Sequence, residues 1–448
     1  MKKIKVLILC WLQIYLVVGQ NIVSDSLWTA FHIEMLTPGF WIQKNSEPDH
    51  IFLEKEKIIT QYKISILENF LTERSMLKKD LILQIDTINA YSRKYPIYDS
   101  ARQVIKAKEI RSWQDLLNKE KIQDTIFPLY GLITERTLAR NFPFYKTILK
   151  KDLNPELDRT IESALYLGEW VKIWHQSEDE NWFFVESPQI FAWVEKENIA
   201  LTDYEQWKNY NQETDPFILI RSLGVTTHYH PKTASFNKDL EIGSRFPIWK
   251  TLEDFEPGTL EKYHVISIPL RDSLGTAYFR PHLVDKDAKI LEGYLDFTSR
   301  NFLEVAFEFL GERYGWGGMH QTRDCSSLIG DIYKVFGFIL PRNSQQIWQD
   351  QRFQKALSSE FSDKTDFFKT LALGGILYFP GHIMLYLGEH EGLHFVMHDI
   401  LETRIQKNKK LIKTPLMRVV VNPLEVFFSE DGQNFADKIL GGLQLKNE

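Results

Sequence analysis

Cys325 is one of only two cysteines in 448 residues, and it stands in RDCSSLIGDIYKVFG, directly after an aspartate and before two serines. From it Leu328, Ile329, Ile332, Tyr333 and Phe336 recur at spacings of three and four, with Gly337 as a stop signal. The thiol therefore belongs to the first turn of an amphipathic helix. Backbone N–H groups and the positive end of the helix dipole favour a thiolate there, and Asp324 is placed to cap the turn. A thiolate is the attacking species in acyl transfer. A lone cysteine is also an ordinary small buried hydrophobe, so the catalytic reading needs a base.

GHIMLYLG and LHFVMHDI, with EHEG between them, form the pattern of a β-hairpin. A loop centred on His390 makes positions summing to 780 face each other. His382 then faces His398, with Cβ atoms about 4.5–5.5 Å apart, and His394 faces Tyr386. His382 is the candidate base and His398 the residue that orients it. A register change of one residue would break the pairing. His228 and His230 in THYHP sit two apart on a strand and read as ordinary strand residues rather than metal ligands.

The elements that must position these groups fall into segments. MKKIK followed by VLILCWLQIYLVVG has the form of a signal peptide, 1–19, which holds the other cysteine, Cys10. Its removal makes Cys325 the sole thiol and excludes an intramolecular disulfide. An uncleaved anchor is the alternative; a lipoprotein signal fits less well, because Leu9 stands where a small residue is expected. No later run is apolar enough to span a bilayer. The expectation is an exported protein, periplasmic or extracellular, with no stable membrane anchor once the leader is gone. Formal charge is −6, and loss of Lys2, Lys3 and Lys5 takes it to −9, so the overall balance offers no argument for nucleic acid or an anionic membrane as a partner.

Residues 20–127 read as a mainly helical domain. From about 128, short β-rich runs such as YGLITERTLARNFPFY and NWFFVESPQIFAWV alternate with Asn, Pro and Gly, and a second such set follows in 217–297. They read as two small barrels, 128–202 and 203–297, against one larger sandwich as the alternative. The last segment, 298–448, opens with an amphipathic helix in SRNFLEVAFEFLGERYGWGG and ends in β-rich sequence, an α+β arrangement.

DCSSL, then LPRNS, GHIMLYLG and VMHD, in this order and spacing, resemble the NlpC/P60 cell-wall cysteine peptidases. YGWGG, the two SH3-like segments and MLTPGFW resemble the four-part subgroup of that family. The resemblance implies a papain-like NlpC/P60 catalytic domain behind two SH3-like β-barrels and a helical segment. It implies Cys325 as nucleophile, His382 as general base and His398 as the third polar residue, with no metal or other cofactor. Tyr314, Asp324, Ser326 and Ser344 match positions that line the substrate pocket. Trp316 is a pocket wall or a packing residue, and Glu162 the acidic closure of the pocket. Phe191 lies where a tyrosine is expected. The implied partners are peptidoglycan stem peptides, cut at the γ-D-glutamyl to diamino-acid bond when they carry a free amino-terminal L-alanine. A wall-binding module with a silent peptidase domain, and a cysteine amidase or acyltransferase on another substrate, are the alternatives.

Overall fold

The computed structural model describes residues 33–88, 96–210, 215–230, 237–407 and 409–446, so the leader read at 1–19 lies outside the described residues. Two compact units form. One gathers the chain up to Phe52 with 298–314 and 344–448, and the other gathers 53–297 with 315–343. Both the segment read as one helical domain and the segment read as catalytic thus contribute to both units.

The first unit is built on a six-stranded antiparallel sheet. Phe353–Leu357, Gly441–Leu445 and Ile376–Phe379 precede β1 (His382–His390), β2 (Leu393–Lys407) and β3 (Lys410–Pro423) in its order. Met384, Tyr386, Val396, Ile400, Ile405 and Val420 pack with Phe367, Phe427 and Phe435 in the core of this sheet. Helix α1 (Ser299–Glu308) starts at Thr298, whose side chain accepts the Asn301 N–H, and it buries Phe302, Val305 and Ala306 as its spacing predicts. The short helix Pro38–Gln43 lays Trp41 against Phe395, ring centroids 5.3 Å apart. Asp49 takes a bidentate ion pair from Arg300 at 2.6 and 2.9 Å.

The second unit contains a seven-stranded antiparallel sheet between Leu129 and Thr202. Ile133, Val171, Phe183, Val185 and Val194 pack in one core cluster. Leu81, Ile85 and Trp113, from the helices Lys78–Ile88 and Ala107–Leu116, pack in another with Trp182, Phe184 and Trp193. Covered on both faces, Trp182–Glu186 is buried at every residue and shows no inside-outside alternation. The β-rich run 217–297 forms smaller pieces: a three-stranded sheet around Phe217–Ile220 and two two-stranded ribbons. Single bridges, Ile248 to Ile266 and His228 to Leu283, join these pieces. No helix among the described residues is long and apolar enough to cross a membrane.

Helix α2 (Cys325–Lys334) belongs to this second unit and is held by buried charges. Arg323 reaches Asp331 at 2.7 Å and Glu241 at 2.6 Å. Arg136 joins the same Glu241 at 2.8 Å, the Tyr166 hydroxyl donates to Asp331, and Lys334 pairs with Glu169. Both strand-rich regions therefore tether the helix. Each buried ion here has a partner, so removing one would strand another. Gly337 ends the helix region at φ 94°, where a Cβ would lie 3.3 Å from the Tyr294 ring.

Candidate active site

The thiol end of the site is organised by Asp324. Its Oδ1 accepts from the Ser326 and Ser327 N–H groups at 3.2 and 3.0 Å, and the Ser327 hydroxyl takes the Asp324 N–H in return. This capping box begins α2 at Cys325. Oδ2 accepts the Gly317 N–H, and Arg342 clamps both oxygens at 3.2 and 2.7 Å. Burial pushes the Asp324 carboxyl up, but Arg342 and the backbone N–H groups of Ser327 and Gly317 more than offset this and hold it at about 2. Asp324 is therefore an ionised structural anchor already saturated by Arg342. The same clamp engages Ser326, whose hydroxyl donates to Asp324 and accepts from Arg342 at 2.9 Å.

Arg342 also donates to the Ser163 hydroxyl at 2.7 Å, tying α2 to strand Ile161–Leu165. Glu162, beside it, accepts from Asn141 at 2.9 Å. Burial pushes its carboxyl upward, against the Asn141 bond and the nearby Arg342 and Arg159 charges. The Trp316 ring lies under the Arg159 guanidinium, 4.4 Å from its centroid. The loop carrying Trp316 presses on the same strand, since a Cβ on Gly317 would lie 2.9 Å from the Ile161 carbonyl oxygen. Glu162, Trp316, Asp324 and Ser326 are thus gathered around two arginines to which the sequence reading assigned no role. Phe191 packs against Phe184 in the cluster that includes the helices Lys78–Ile88 and Ala107–Leu116. It is partly buried there.

The histidines occupy the sheet of the other unit. His382 Nε2 lies 2.7 Å from His398 Nδ1, and His398 Nε2 lies 2.8 Å from Asn422 Oδ1. The Asn422 amide nitrogen donates to the Pro423 carbonyl oxygen, which turns its oxygen toward His398. His398 Nε2 must then carry the proton, its Nδ1 accepts, and His382 donates from Nε2. The line assigns the open lone pair to His382 Nδ1. Burial, followed by the adjacent His398, pushes His382 well below the ordinary imidazole value. Burial also lowers His398 to about 4, although its bond to Asn422 acts the other way. Phe379, Phe427 and Phe435 supply much of this apolar surround, with centroids 5.4–6.2 Å from the two imidazoles.

The register differs from the expected one. Glu391 and Gly392, both at positive φ, make a two-residue turn that pairs His390 with Leu393. His394 consequently faces Glu389, and neither His382 with His398 nor His394 with Tyr386 is a directly opposed pair. Carried on unchanged, that register would put His382 and His398 on opposite faces. A bulge between Tyr386 and Gly388 absorbs one residue and pairs Leu385 with Met397. Continued from there, the register places His382 diagonal to His398 on the same face. Asn422, opposite Val396, takes the next diagonal step on β3. Tyr314 is buried, and its N–H bonds the carbonyl oxygen of Met417 in β3. Ser344 opens the helix Ser344–Gln349.

Together these features describe a mixed helix-and-sheet protein with a cysteine at a capped helix start and a hydrogen-bonded histidine pair on an antiparallel sheet. Residues 311–420 match the NlpC/P60 family model, and residues 143–195 match the SH3 domain of the SH3b1 type. The chain thus carries an NlpC/P60 domain, a papain-like cysteine peptidase fold, preceded by an SH3 domain. It is similar in structure to an NlpC/P60 endopeptidase from Photobacterium damselae subsp. piscicida, with a TM-score of 0.72 and 19% identity over 92% of this chain and 97% of that one. An NlpC/P60 family protein from Bacillus cereus ATCC 10987 is 15% identical over 70% of this chain and 99% of its own, with a TM-score of 0.45. No curated protein matches the chain.

Proposed function

We propose that the protein is an exported cysteine endopeptidase that hydrolyses the γ-D-glutamyl to diamino-acid bond of peptidoglycan stem peptides bearing a free amino-terminal L-alanine. The observation that carries the chemistry is the Asn422–His398–His382 line, which leaves an open lone pair on His382 Nδ1. In this reading that nitrogen takes the Cys325 thiol proton and the sulfur attacks the γ-glutamyl carbonyl carbon. His382 returns the proton to the leaving amine as the C–N bond breaks. Water, activated by the same nitrogen, then cleaves the thioester and restores the thiol. The Ser326 and Ser327 N–H groups already serve the cap, so they are not assigned to the oxyanion.

Glu162 is the assigned partner of the substrate ammonium, because Asp324 is held by Arg342. Trp316, Tyr314 and Ser344 are assigned to the pocket walls, and Ser326 supports them through the Arg342 clamp. The segments 20–127, 128–202, 203–297 and 298–448 remain the proposed domain division.

The test is mass spectrometry after incubating the purified protein with L-Ala-γ-D-Glu-diaminopimelate and with its N-acetylated form. Release of diaminopimelate from the free peptide alone, lost in Cys325→Ala, is expected. Equal cleavage of both peptides would overturn the free-amine requirement, and binding without turnover would point to a silent wall-binding module.

A further inference from the structure

The second unit holds a cleft of about 750 Å³, its open mouth included, that the peptidase reading does not use. Every residue of its wall belongs to that unit. Lys334 and Glu169 in the wall pair at 3.0 Å, and Lys334 also meets Asp331 at 3.5 Å. The remaining charged groups of the wall, Lys63 and Arg245, are both cationic. They converge on the phenol of Tyr294, which lines the same cleft. Lys63 Nζ donates to the Tyr294 hydroxyl, and Arg245 Nη1 donates to it at 3.4 Å. A phenol oxygen that accepts from both sides must turn its own proton elsewhere. No acceptor for that proton stands among the described residues. The Phe217 ring, with its centroid 3.9 Å from the guanidinium carbon, fixes Arg245, while Lys63 and Tyr294 are only 5% and 6% exposed.

Two cations around a hydroxyl that has a proton to give suit an anionic oxygen as acceptor. The rest of the wall suits more than an inorganic anion. Leu167, Trp170 and Phe338 make part of it apolar. Ser244 brings a hydroxyl with no partner among the described residues. Gln189 gives its amide N–H to the Leu340 carbonyl oxygen at 2.7 Å, which leaves its side-chain oxygen as an acceptor. Small-molecule sites combine such apolar walls with a few placed polar groups in roughly 300–1,000 Å³. A ring with C–H faces, a rim of hydroxyls and one acidic group matches each of these features, whereas a flat aromatic acid would leave Ser244 and Gln189 without a role. We propose that this cleft binds an acidic monosaccharide. Its carboxylate or phosphate meets Lys63, Arg245 and the Tyr294 hydroxyl, its ring lies on the apolar wall, and its hydroxyls bond Ser244 and Gln189. None of these residues is assigned to peptide hydrolysis.

The test is isothermal titration calorimetry of the purified protein with D-glucuronate, D-glucose 6-phosphate, D-glucose and inorganic phosphate. At least one acidic sugar should bind with a Kd about tenfold or more below those of glucose and phosphate, and which of the two binds identifies the acidic group. Tyr294→Phe and Lys63→Met should each weaken that sugar about tenfold, with hydrolysis of soluble peptide unchanged. Should either variant fail to fold, Ser244→Ala, at a half-buried position, carries the test: it should weaken the sugar about threefold and leave the affinity for phosphate as it was. Glucose binding as tightly as the acidic sugars, phosphate binding as tightly (an adventitious ion only), no binding of either acidic sugar, or a Kd that none of the folded variants changes would overturn the proposal.

Discussion

Replacing Arg342 with methionine preserves an apolar stem and removes the guanidinium that clamps Asp324. Four bonds are lost: two to the Asp324 carboxylate, one to the Ser326 hydroxyl and one to the Ser163 hydroxyl. Asp324 is held at about 2 from an ordinary 3.8, and each unit corresponds to about 1.4 kcal/mol. The ionised carboxylate therefore contributes roughly 2.5 kcal/mol. Because its folded value is depressed, that contribution is fully present above pH 3.8 and is lost as pH falls through 2. Without Arg342 the burial that pushes the carboxyl up dominates, and a stranded buried charge costs about 3–5 kcal/mol. Urea unfolding at pH 7 should show Arg342→Met less stable than wild type by that amount. At pH 3 the gap should narrow, because the variant's carboxyl is then protonated. Adding Asp324→Asn should recover part of the loss at pH 7. A cost below about 1 kcal/mol, or one equal at both pH values, would refute the assignment of Asp324 as a buried, Arg342-dependent anchor.

Asn422→Ala should lower kcat about 10–100-fold with little change in KM, since it frees the imidazole line to adopt the wrong tautomer while leaving the substrate contacts in place; steady-state kinetics measures this. Both imidazoles have folded values below the ordinary 6.5, so acidification favours the unfolded chain. Stability should be level above about pH 6.5 and fall below it, with His398 alone contributing about 3 kcal/mol by the time pH reaches its folded value near 4; urea titrations at stepped pH read the slope. The same depression keeps His382 neutral in mild acid, so kcat/KM should stay flat from about pH 8 to 6.

The helix behind Cys325 was legible because its signals are local: apolar spacing, an aspartate cap and a glycine stop lie within fifteen residues, Cys325 to Gly337 spanning one continuous pattern. The histidine pairing was harder to read. Its residues were identifiable, but the register depends on a two-residue turn at positive φ and on the slack taken up by the bulge beside Gly388. No apolar alternation reports either feature. Asn422 follows three valines and looks like the end of a core strand until the neighbouring strand brings His398 to it. Arg342 lies in the conspicuous LPRNS, yet nothing in its local sequence shows that its partner is the helix cap eighteen residues earlier. Phe191 stands where the family resemblance implies a tyrosine. The β-rich run that holds it is covered on both faces, so an inward-facing side chain could serve either face.

The central claim is that the Cys325 sulfur and the His382 imidazole act as one chemical unit. The pH dependence of Cys325 alkylation by iodoacetamide tests it directly, in wild type and in His382→Ala. Alkylation that is already fast at about pH 6–7 in wild type, and that slows toward the rate of an ordinary thiol of pKa about 8.5 when the imidazole is removed, is the predicted result. Identical profiles in the two proteins would contradict the account.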